Sequence, residues 1–499
     1  MDIKRLSKNV LFLYVRMLIL LIVMFYTSRV LLKELGIDDY GLYNVIGGFV
    51  LLFSSLKTLF STAIQRFINY EKVRDELSRI QEIFTIGFYI HAAIAIFFFF
   101  LVECVGGWFI SHKLVADPDR ISTAYWVLHL SVLSSIIMIM TVPYDALIIA
   151  NEKMNFYAYS SVLDGVLRLI IVFCLVWFDC DKLKLYAVLV FVVSLIMRLV
   201  NMIYCKKKFP ECKIVRLKDF SLVKKMSTFA AWNFFGNMSY SISHEGINIL
   251  LNAFGGTNVN AARGIVYQVK NALTTILRNV VVAVDPQGIM LYSEGKKIEF
   301  FYLLNLYTRI VVFIYLLMAV PLFFYTNDVI GLWLGQVPMY ADVFLRWILL
   351  YLFFRALHFP LNLIFKASGE LKLYQLCESI LLISVLFISY IVLKLGFSVV
   401  SVFVIMFVVE LINYFCVFLL SKKIEFVSSS SYSKVLRVVF SVFLLIACET
   451  YLLRVILDDL NFILQILLQV LIMAISILLV GFSTDEKMKL YRFLVEKVK

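Results

Sequence analysis

The sequence predicts an all-α integral membrane protein with about 14 transmembrane helices, as two six-helix lobes around a central cavity plus two extra C-terminal helices. Composition, the spacing of apolar segments and an internal repeat predict this fold class. Of the 499 residues, 62% are hydrophobic and only 16% are charged, and the mean hydropathy is +0.92. A soluble domain of this length would need more polar surface to cover its core.

Fourteen segments are long and apolar enough to cross a bilayer, which takes about 20 residues per helix. The first is too long for the apolar part of a signal peptide and lacks a small-residue cleavage site, so we expect it to stay as a helix. We number the predicted spans 1 to 14: 9–32, 40–63, 82–105, 122–149, 157–178, 185–204, 228–254, 264–286, 301–324, 343–365, 374–393, 399–420, 438–456 and 461–482.

Basic residues in the connecting segments predict the orientation. With the N-terminus placed inside, the inside segments contain 29 Lys and Arg and the outside segments contain 7. Short cytoplasmic loops are enriched in Lys and Arg, so this difference places both termini in the cytoplasm. The net charge of +13 therefore reflects membrane topology, and we expect no nucleic-acid partner.

An internal repeat predicts the domain organisation. The segment Pro143–Tyr157 aligns without a gap on Pro360–Tyr374, and the turn at Leu35–Gly36 matches the turn at Phe254–Gly255. The offsets are 217 and 219 residues, so two six-helix halves of the same orientation are expected to enclose a cavity. The predicted parts are an N-terminal lobe (1–204), a basic cytoplasmic linker (205–227), a C-terminal lobe (228–420), a cytoplasmic loop (421–437), spans 13 and 14 (438–482) and a cytoplasmic tail (483–499).

Five cations lie deep in spans from both halves and are candidate ligand-binding residues. A charge facing lipid at that depth costs about 2.5 kcal/mol or more, so we expect them to face protein or water. In one shared cavity they would create a positive potential suited to a phosphate or pyrophosphate. These residues are Arg16, Lys270, Arg278, Arg309 and Arg355.

Polar side chains at steps of three and four form one stripe along span 7 and another along span 8. Such side chains either line a cavity or hold membrane helices together, and the sequence leaves both roles open. The candidates for sugar binding or ion coupling are Asn237, His244, Glu245, Asn248, Gln268 and Asn271.

Three further residues within the spans carry predictions, one as a coupling candidate and two as a structural ion pair. His358 lies on one stripe with Arg355 and could carry a proton, although an intramembrane histidine is more often a hydrogen-bonded core residue. Asp164 and Arg168 stand at i and i+4 in span 5, which predicts a structural ion pair. The eight cysteines have no paired spacing, so we expect neither a metal site nor a cofactor.

Several motifs resemble the polysaccharide transporters of the multidrug/oligosaccharidyl-lipid/polysaccharide (MOP) superfamily, specifically the O-antigen (Wzx-type) lipid-linked oligosaccharide flippases. The most specific is 252–265 (NAFGGTNVNAARGI), and the resemblance extends over essentially the whole chain. The other motifs follow in the expected order: 35–43 (LGIDDYGLY), Gln268–Val269, Asp285–Gln287, Trp333–Gly335 and Ala367–Gly369.

The resemblance implies a flippase of the bacterial cytoplasmic (inner) membrane that moves undecaprenyl-pyrophosphate-linked oligosaccharide units by alternating access, for O-antigen or capsule biosynthesis. It implies that Arg16 and Arg278 bind the pyrophosphate, with Lys270, Arg309 and Arg355 in support. The expected partners are the bilayer, the lipid-linked glycan and the polysaccharide polymerase machinery. H⁺ and Na⁺ both stay open as a coupling ion.

Two other classes of function are alternatives. A cation-coupled multidrug exporter of the same superfamily usually has a buried carboxylate in span 1 or 7, and Glu245 keeps this alternative open. A membrane-bound polymerase or ligase would place catalytic residues in a large outside loop. The longest outside loop, 325–342, has no Lys, Arg or His, so we expect no enzyme.

Overall fold

The computed structural model describes residues 3–54, 64, 67–68, 71, 77–151, 153–217, 220–424, 429–456, 461–484 and 486–488. Within these residues the protein consists of helices and connections, without a strand. The helices are α1 (Ile3–Ser54), α2 (Leu77–His112), α3 (Ile121–Ala150), α4 (Met154–Trp177), α5 (Lys182–Lys208), α6 (Phe220–Ser293), α7 (Lys297–Phe324), α8 (Thr326–Leu334), α9 (Ala341–Ser368), α10 (Leu371–Lys394), α11 (Val400–Ser421), α12 (Ser429–Ile456) and α13 (Phe462–Val480).

Ten helices in the described part of the chain are long and apolar enough to cross a membrane. They coincide with predicted spans 3–6 and 9–14, which confirms the all-α membrane class. Helices suit this environment because they satisfy every backbone N–H and C=O internally, where lipid offers no hydrogen-bond partner.

Spans 1, 2, 7 and 8 fall within α1 and α6, each of which is interrupted at one glycine. Gly36 has φ 78° and ψ 172°, and Gly256 has φ 72° and ψ −173°. Only glycine adopts this region readily, because it has no Cβ to clash. The predicted loops 33–39 and 255–263 are therefore helical apart from the glycines, and the matching repeat residues are Gly36 and Gly256 rather than Gly36 and Gly255.

The chain forms two compact units. Unit 1 comprises residues 1–265 and 389–399, and unit 2 comprises residues 266–388 and 400–499. The division falls inside α6, just after the glycine break. The predicted lobes, 1–204 and 228–420, stay a prediction.

In unit 1, α3 packs along α2 and α5, and α1 packs against α3 and α4. The second part of α1 also lies very close to α6. A Cβ built on Gly41 would fall 1.9 Å from the backbone oxygen of Thr257, and one built on Gly264 would fall 2.7 Å from the side-chain oxygen of Asn44. Small residues permit such backbone approaches between membrane helices.

The first part of the predicted linker is ordered against the core of unit 1. Phe209 and Cys212 are buried in one apolar cluster with Phe84 and Tyr144. The Thr85 hydroxyl accepts a hydrogen bond of 3.0 Å from the backbone N–H of Val215. The segment up to residue 217 therefore forms part of the folded unit.

In unit 2, α9 is the central helix and packs against α7 and α11, while α12 packs against α7 and α13. Phe344 of α9 stacks on Phe403 of α11 with ring centroids 3.9 Å apart. Pro360 lies inside α9, as its repeat counterpart Pro143 lies inside α3 of unit 1. The repeat therefore places a proline in one interior helix of each unit.

Candidate functional site

The polar stripe of span 7 is engaged in helix packing within unit 1. The Asn248 side chain is 1% exposed and donates a 2.9 Å hydrogen bond to the backbone oxygen of Asn44 in α1. The Asn260 amide donates to both the backbone and side-chain oxygens of Asn248 at 2.8 Å. These bonds join the two parts of α6 across the Gly256 break and attach both to α1.

A buried cation, Arg263, lies beside the predicted candidates His244 and Glu245. Arg263 is 4% exposed and donates a 2.7 Å hydrogen bond to the backbone oxygen of His244. Its guanidinium is 4.0 Å from the Glu245 carboxylate, which also lies 3.0 Å from the Nδ1 atom of His244. Arg263 was not predicted as a site residue, because it lies in the predicted outside loop 255–263. Starting span 8 one residue earlier would have included it.

Lys270 is held between aromatic rings in unit 2. The residue is 5% exposed, and its Nζ atom lies 4.5 Å from the ring centroid of Tyr267 and 5.2 Å from that of Tyr351. A cation over an aromatic face is stabilised by the ring quadrupole, and more strongly when desolvated. These two rings therefore stabilise the buried positive charge of Lys270.

One helical turn beyond Tyr351, Arg355 is bound by carboxylates from two other helices. Its Nη2 atom lies 2.7 Å from Glu378 of α10, and its Nη1 atom lies 3.5 Å from Glu410 of α11. The predicted candidate His358 joins the same cluster. Its Nδ1 atom is 3.3 Å from Glu410, and its Nε2 atom is 3.1 Å from the Tyr374 hydroxyl. We call Arg355, His358, Tyr374, Glu378 and Glu410 the Arg355 cluster.

The structure thus places Lys270 against Tyr351, one helical turn before Arg355. It also pairs Arg355 with two carboxylates, a pairing that the sequence did not predict. Glu378 and Glu410 were visible as charges inside spans. Their pairing with Arg355 depends on how three helices are rotated about their axes. The amino-acid sequence alone does not specify these rotations.

Arg309, another predicted lumen cation, is bound to the C-terminal region of unit 2. Its guanidinium contacts both Glu486 oxygens, at 2.5 and 2.9 Å, and donates a 3.0 Å hydrogen bond to the backbone oxygen of Gly481. Burial alone would raise the pKa of Glu486, but hydrogen bonds from Arg309 and the Ser483 backbone lower it to about 2. The carboxylate therefore stays ionised and holds the start of the predicted tail against α7.

Arg278 differs from these cations. Its side chain is exposed and makes no ion pair among the residues that the structure describes. Of its neighbours on the predicted stripe, Asn271 is exposed and Gln268 is half-buried. Arg278 stands eight residues before the end of span 8, about 12 Å along the helix axis. The predicted candidates Arg16 and Asn237 lie in helices, but their side chains are outside the described part.

The predicted pair in span 5 is formed in unit 1. The Nε atom of Arg168 lies 2.9 Å from the Asp164 carboxylate, and the two side chains are 44% and 35% exposed. The pair belongs to the wall of a polar pocket between α3, α4 and α5.

Comparisons with known proteins agree with this architecture. Residues 6–286 match the polysaccharide biosynthesis protein family, so the chain belongs to this family. No curated protein sequence matches the chain. The fold is similar to that of a multidrug resistance MATE family transporter of the MOP superfamily, solved in an inward-facing conformation. That match has 13% identity, covers 80% of this chain and 94% of the other, and has a TM-score of 0.67.

The fold is also similar to that of the lipid II flippase MurJ in an inward closed conformation, with 14% identity, coverage of 97% and 99%, and a TM-score of 0.68. A third match is a MOP superfamily transporter from Pyrococcus furiosus, with 16% identity, coverage of 83% and 95%, and a TM-score of 0.56. The protein is thus a multi-pass membrane protein with the fold of the MOP flippases and transporters.

Proposed function

We propose that the protein translocates an undecaprenyl-pyrophosphate-linked oligosaccharide across the bacterial cytoplasmic membrane by alternating access, for surface polysaccharide biosynthesis. The family match and the MurJ-like fold support a flippase or transporter of the MOP superfamily. The observation that carries the finer proposal is the state of Arg278. It is an exposed arginine within a membrane span and makes no ion pair with a described residue.

An arginine at this depth needs a counter-charge or water. Its planar guanidinium binds phosphate oxygens in a bidentate fashion, which suits the pyrophosphate of a lipid-linked glycan. We propose that Arg278 and Arg16 bind the pyrophosphate. Lys270 and Arg355 would contribute positive potential, although their side chains already have partners.

The multidrug exporter is the second candidate, because Glu245 is a carboxylate inside span 7. In unit 1 this carboxylate already lies beside His244 and Arg263. A carboxylate occupied by a neighbouring arginine is less available to a cationic drug or coupling ion. This arrangement favours the flippase.

Complementation of a flippase-null strain tests the proposal. Because a hydrogen bond to a charged group contributes about 1.5–3 kcal/mol, we expect Arg278→Ala to lower polymer production about tenfold or more. Arg16→Ala should do the same. Arg278→Lys keeps the charge and should retain much of the activity, and Arg216→Ala, an exposed residue of the linker, is the matched control.

The readout is surface polymer together with the lipid-linked intermediate that accumulates inside the cell. Normal polymer from the Arg16→Ala, Arg278→Ala double variant, at normal membrane levels, would contradict the proposed pyrophosphate site. Ethidium efflux by the purified protein in vesicles, abolished by Glu245→Gln, would instead support the exporter.

A further inference from the structure

A polar pocket of about 190 Å³ lies within unit 1, between α3, α4 and α5. Neither the pyrophosphate site nor the helix packing accounts for it. Cavities of about 150 Å³ hold one benzene ring, so this pocket has room for one six-membered ring with substituents. Its walls contain charged, amide and hydroxyl side chains, several of which pair with one another.

One wall is a chain of hydrogen bonds. The Asn201 amide donates to the Asp145 carboxylate at 2.9 Å, and the Ser160 hydroxyl donates to the Asn201 side-chain oxygen at 3.1 Å. This chain orders a carboxylate, an amide and a hydroxyl along one side of the pocket.

The charges of the lining cancel. Asp145 and Asp164 carry two negative charges, and Arg168 and Arg198 carry two positive charges. A phosphate would face two carboxylates, and a simple cation would face two guanidinium groups. A neutral ligand with many hydroxyls avoids both conflicts, because a hydroxyl donates to carboxylates and accepts from guanidinium groups.

Arg198 has unused donor capacity. Its guanidinium lies over the Tyr144 ring, 4.6 Å from the centroid, and its Nη1 atom is buried without a hydrogen-bond partner. Buried polar atoms are nearly always hydrogen-bonded in native proteins, so an unsatisfied one requires an explanation. A ligand that draws this side chain toward the pocket would supply the missing acceptor.

The remaining walls are apolar and include Ile148, Phe156 and Met197. Phe156 is fixed by parallel stacking on Tyr204, with ring centroids 3.6 Å apart. Small-molecule sites combine such walls with a few directed polar groups. A sugar ring has the matching surfaces, since its C–H faces are apolar and its edge carries hydroxyls.

We propose that this pocket binds one uncharged sugar ring, and that the glycan of the lipid-linked substrate supplies it. The identity of this glycan rests on the function proposed above, whereas the sugar chemistry rests on the pocket itself. The wall of Asp145, Asn201 and Ser160 would bind adjacent hydroxyls, and Arg198 would donate to a ring substituent.

Saturation-transfer difference NMR on the full-length protein in detergent tests this proposal. The probes are the methyl glycosides of glucose, galactose, mannose and N-acetylglucosamine. We expect at least one to receive saturation from the wild type. Because Arg198→Gln removes charged hydrogen-bond donors, it should raise the Kd of that glycoside about tenfold or more. Asp145→Asn, which keeps an acceptor for Asn201, should raise it less.

Arg216→Gln is the matched arginine control and should leave the Kd unchanged. Thermal unfolding of each variant verifies the fold, and if Arg198→Gln unfolds, Asp145→Asn provides the test. Three results would overturn the proposal: no saturation of any glycoside by the folded wild type, equal saturation in the wild type and both pocket variants, or displacement of the glycoside by 10 mM inorganic phosphate.

The Arg278→Ala variant separates this proposal from the flippase itself. We expect it to bind the glycoside with wild-type affinity while polymer production falls. If the pocket variants bind sugar normally while Arg278→Ala still loses transport, the sugar pocket fails and the flippase stands. If Arg278→Ala transports normally and Arg198→Gln loses sugar binding, the pyrophosphate site fails and the pocket stands.

Discussion

The Arg355 cluster contains one guanidinium and two carboxylates from three different helices. Glu410 is 2% exposed, and the Arg355 and Glu378 side chains are 21% and 15% exposed. Removing charges from water at such sites is expensive, so each member depends on the others. His358 bonds to the same Glu410 carboxylate and to Tyr374, which fixes the ring at both nitrogens.

Arg355→Ala should therefore lower the stability of unit 2. The change leaves Glu378 and Glu410 buried without their cation, and breaking a buried pair on one side costs about 3–5 kcal/mol. Thermal unfolding of the purified protein in detergent measures the effect. Lys296→Ala removes an exposed ion pair to Glu294 and should cost about 1 kcal/mol or less. Equal melting of the two variants would show that the cluster does not stabilise the fold.

At this scale the sequence identified charges but not their partners. Arg309 was predicted as a lumen cation because it lies inside span 9, and the structure shows it bound to Glu486, 177 residues away. The Asp164–Arg168 pair was visible because both residues lie on one helix, where a spacing of four fixes their proximity. Pairs between helices carry no such local signature.

At the scale of elements, the glycine breaks determine how α1 and α6 are built. Gly36 and Gly256 each change the chain direction at a single residue, and helix resumes at once on both sides. A loop was predicted at both places because most connections between helices need several residues. A single glycine with positive φ replaces the several loop residues that such a connection usually needs.

Gly36→Ala should destabilise the protein, and Gly47→Ala should not. Neither added methyl group would meet an atom within 4 Å, but only Gly36 has a positive φ, at 78°. A non-glycine residue in that region costs about 1–3 kcal/mol. Alanine at Gly47, which is inside the helix, should instead stabilise by about 0.5–1 kcal/mol. Thermal unfolding separates the two, and a tolerated Gly36→Ala would show that the break does not require glycine.

For the whole molecule, the asymmetry of basic residues between alternate connections supports a cytoplasmic position for both termini. The described part of the linker is folded onto unit 1, because its residues Phe209 and Cys212 are buried there. We propose this orientation from the charge asymmetry of the connections.

Cysteine labelling tests the orientation. In a variant with the eight native cysteines replaced by serine, Asn258→Cys should react with a membrane-impermeant maleimide added to spheroplasts, and Arg216→Cys should not. Both positions are exposed, so accessibility within the fold does not decide the result. After permeabilisation both should react. Labelling of residue 216 alone in intact spheroplasts would reverse the topology.

Composition and hydropathy were sufficient to predict the membrane class and ten spans, because an apolar run of about 20 residues has few other uses. The pocket around Asn201 was not predicted. The pocket residues lie on three different helices, and no local sequence pattern marks any of them. They are Asp145, Ser160 and Asn201. Their combination arises from packing, which depends on side-chain shape rather than on the period of the sequence.

The single-residue breaks at Gly36 and Gly256 affect how much of the protein is accessible from outside the cell. If both lie on the outer side, as we propose, two pairs of crossings are joined there by short helical turns rather than by long loops. Antibodies, phages and secreted proteases would therefore have few accessible residues to bind or cleave at these two turns.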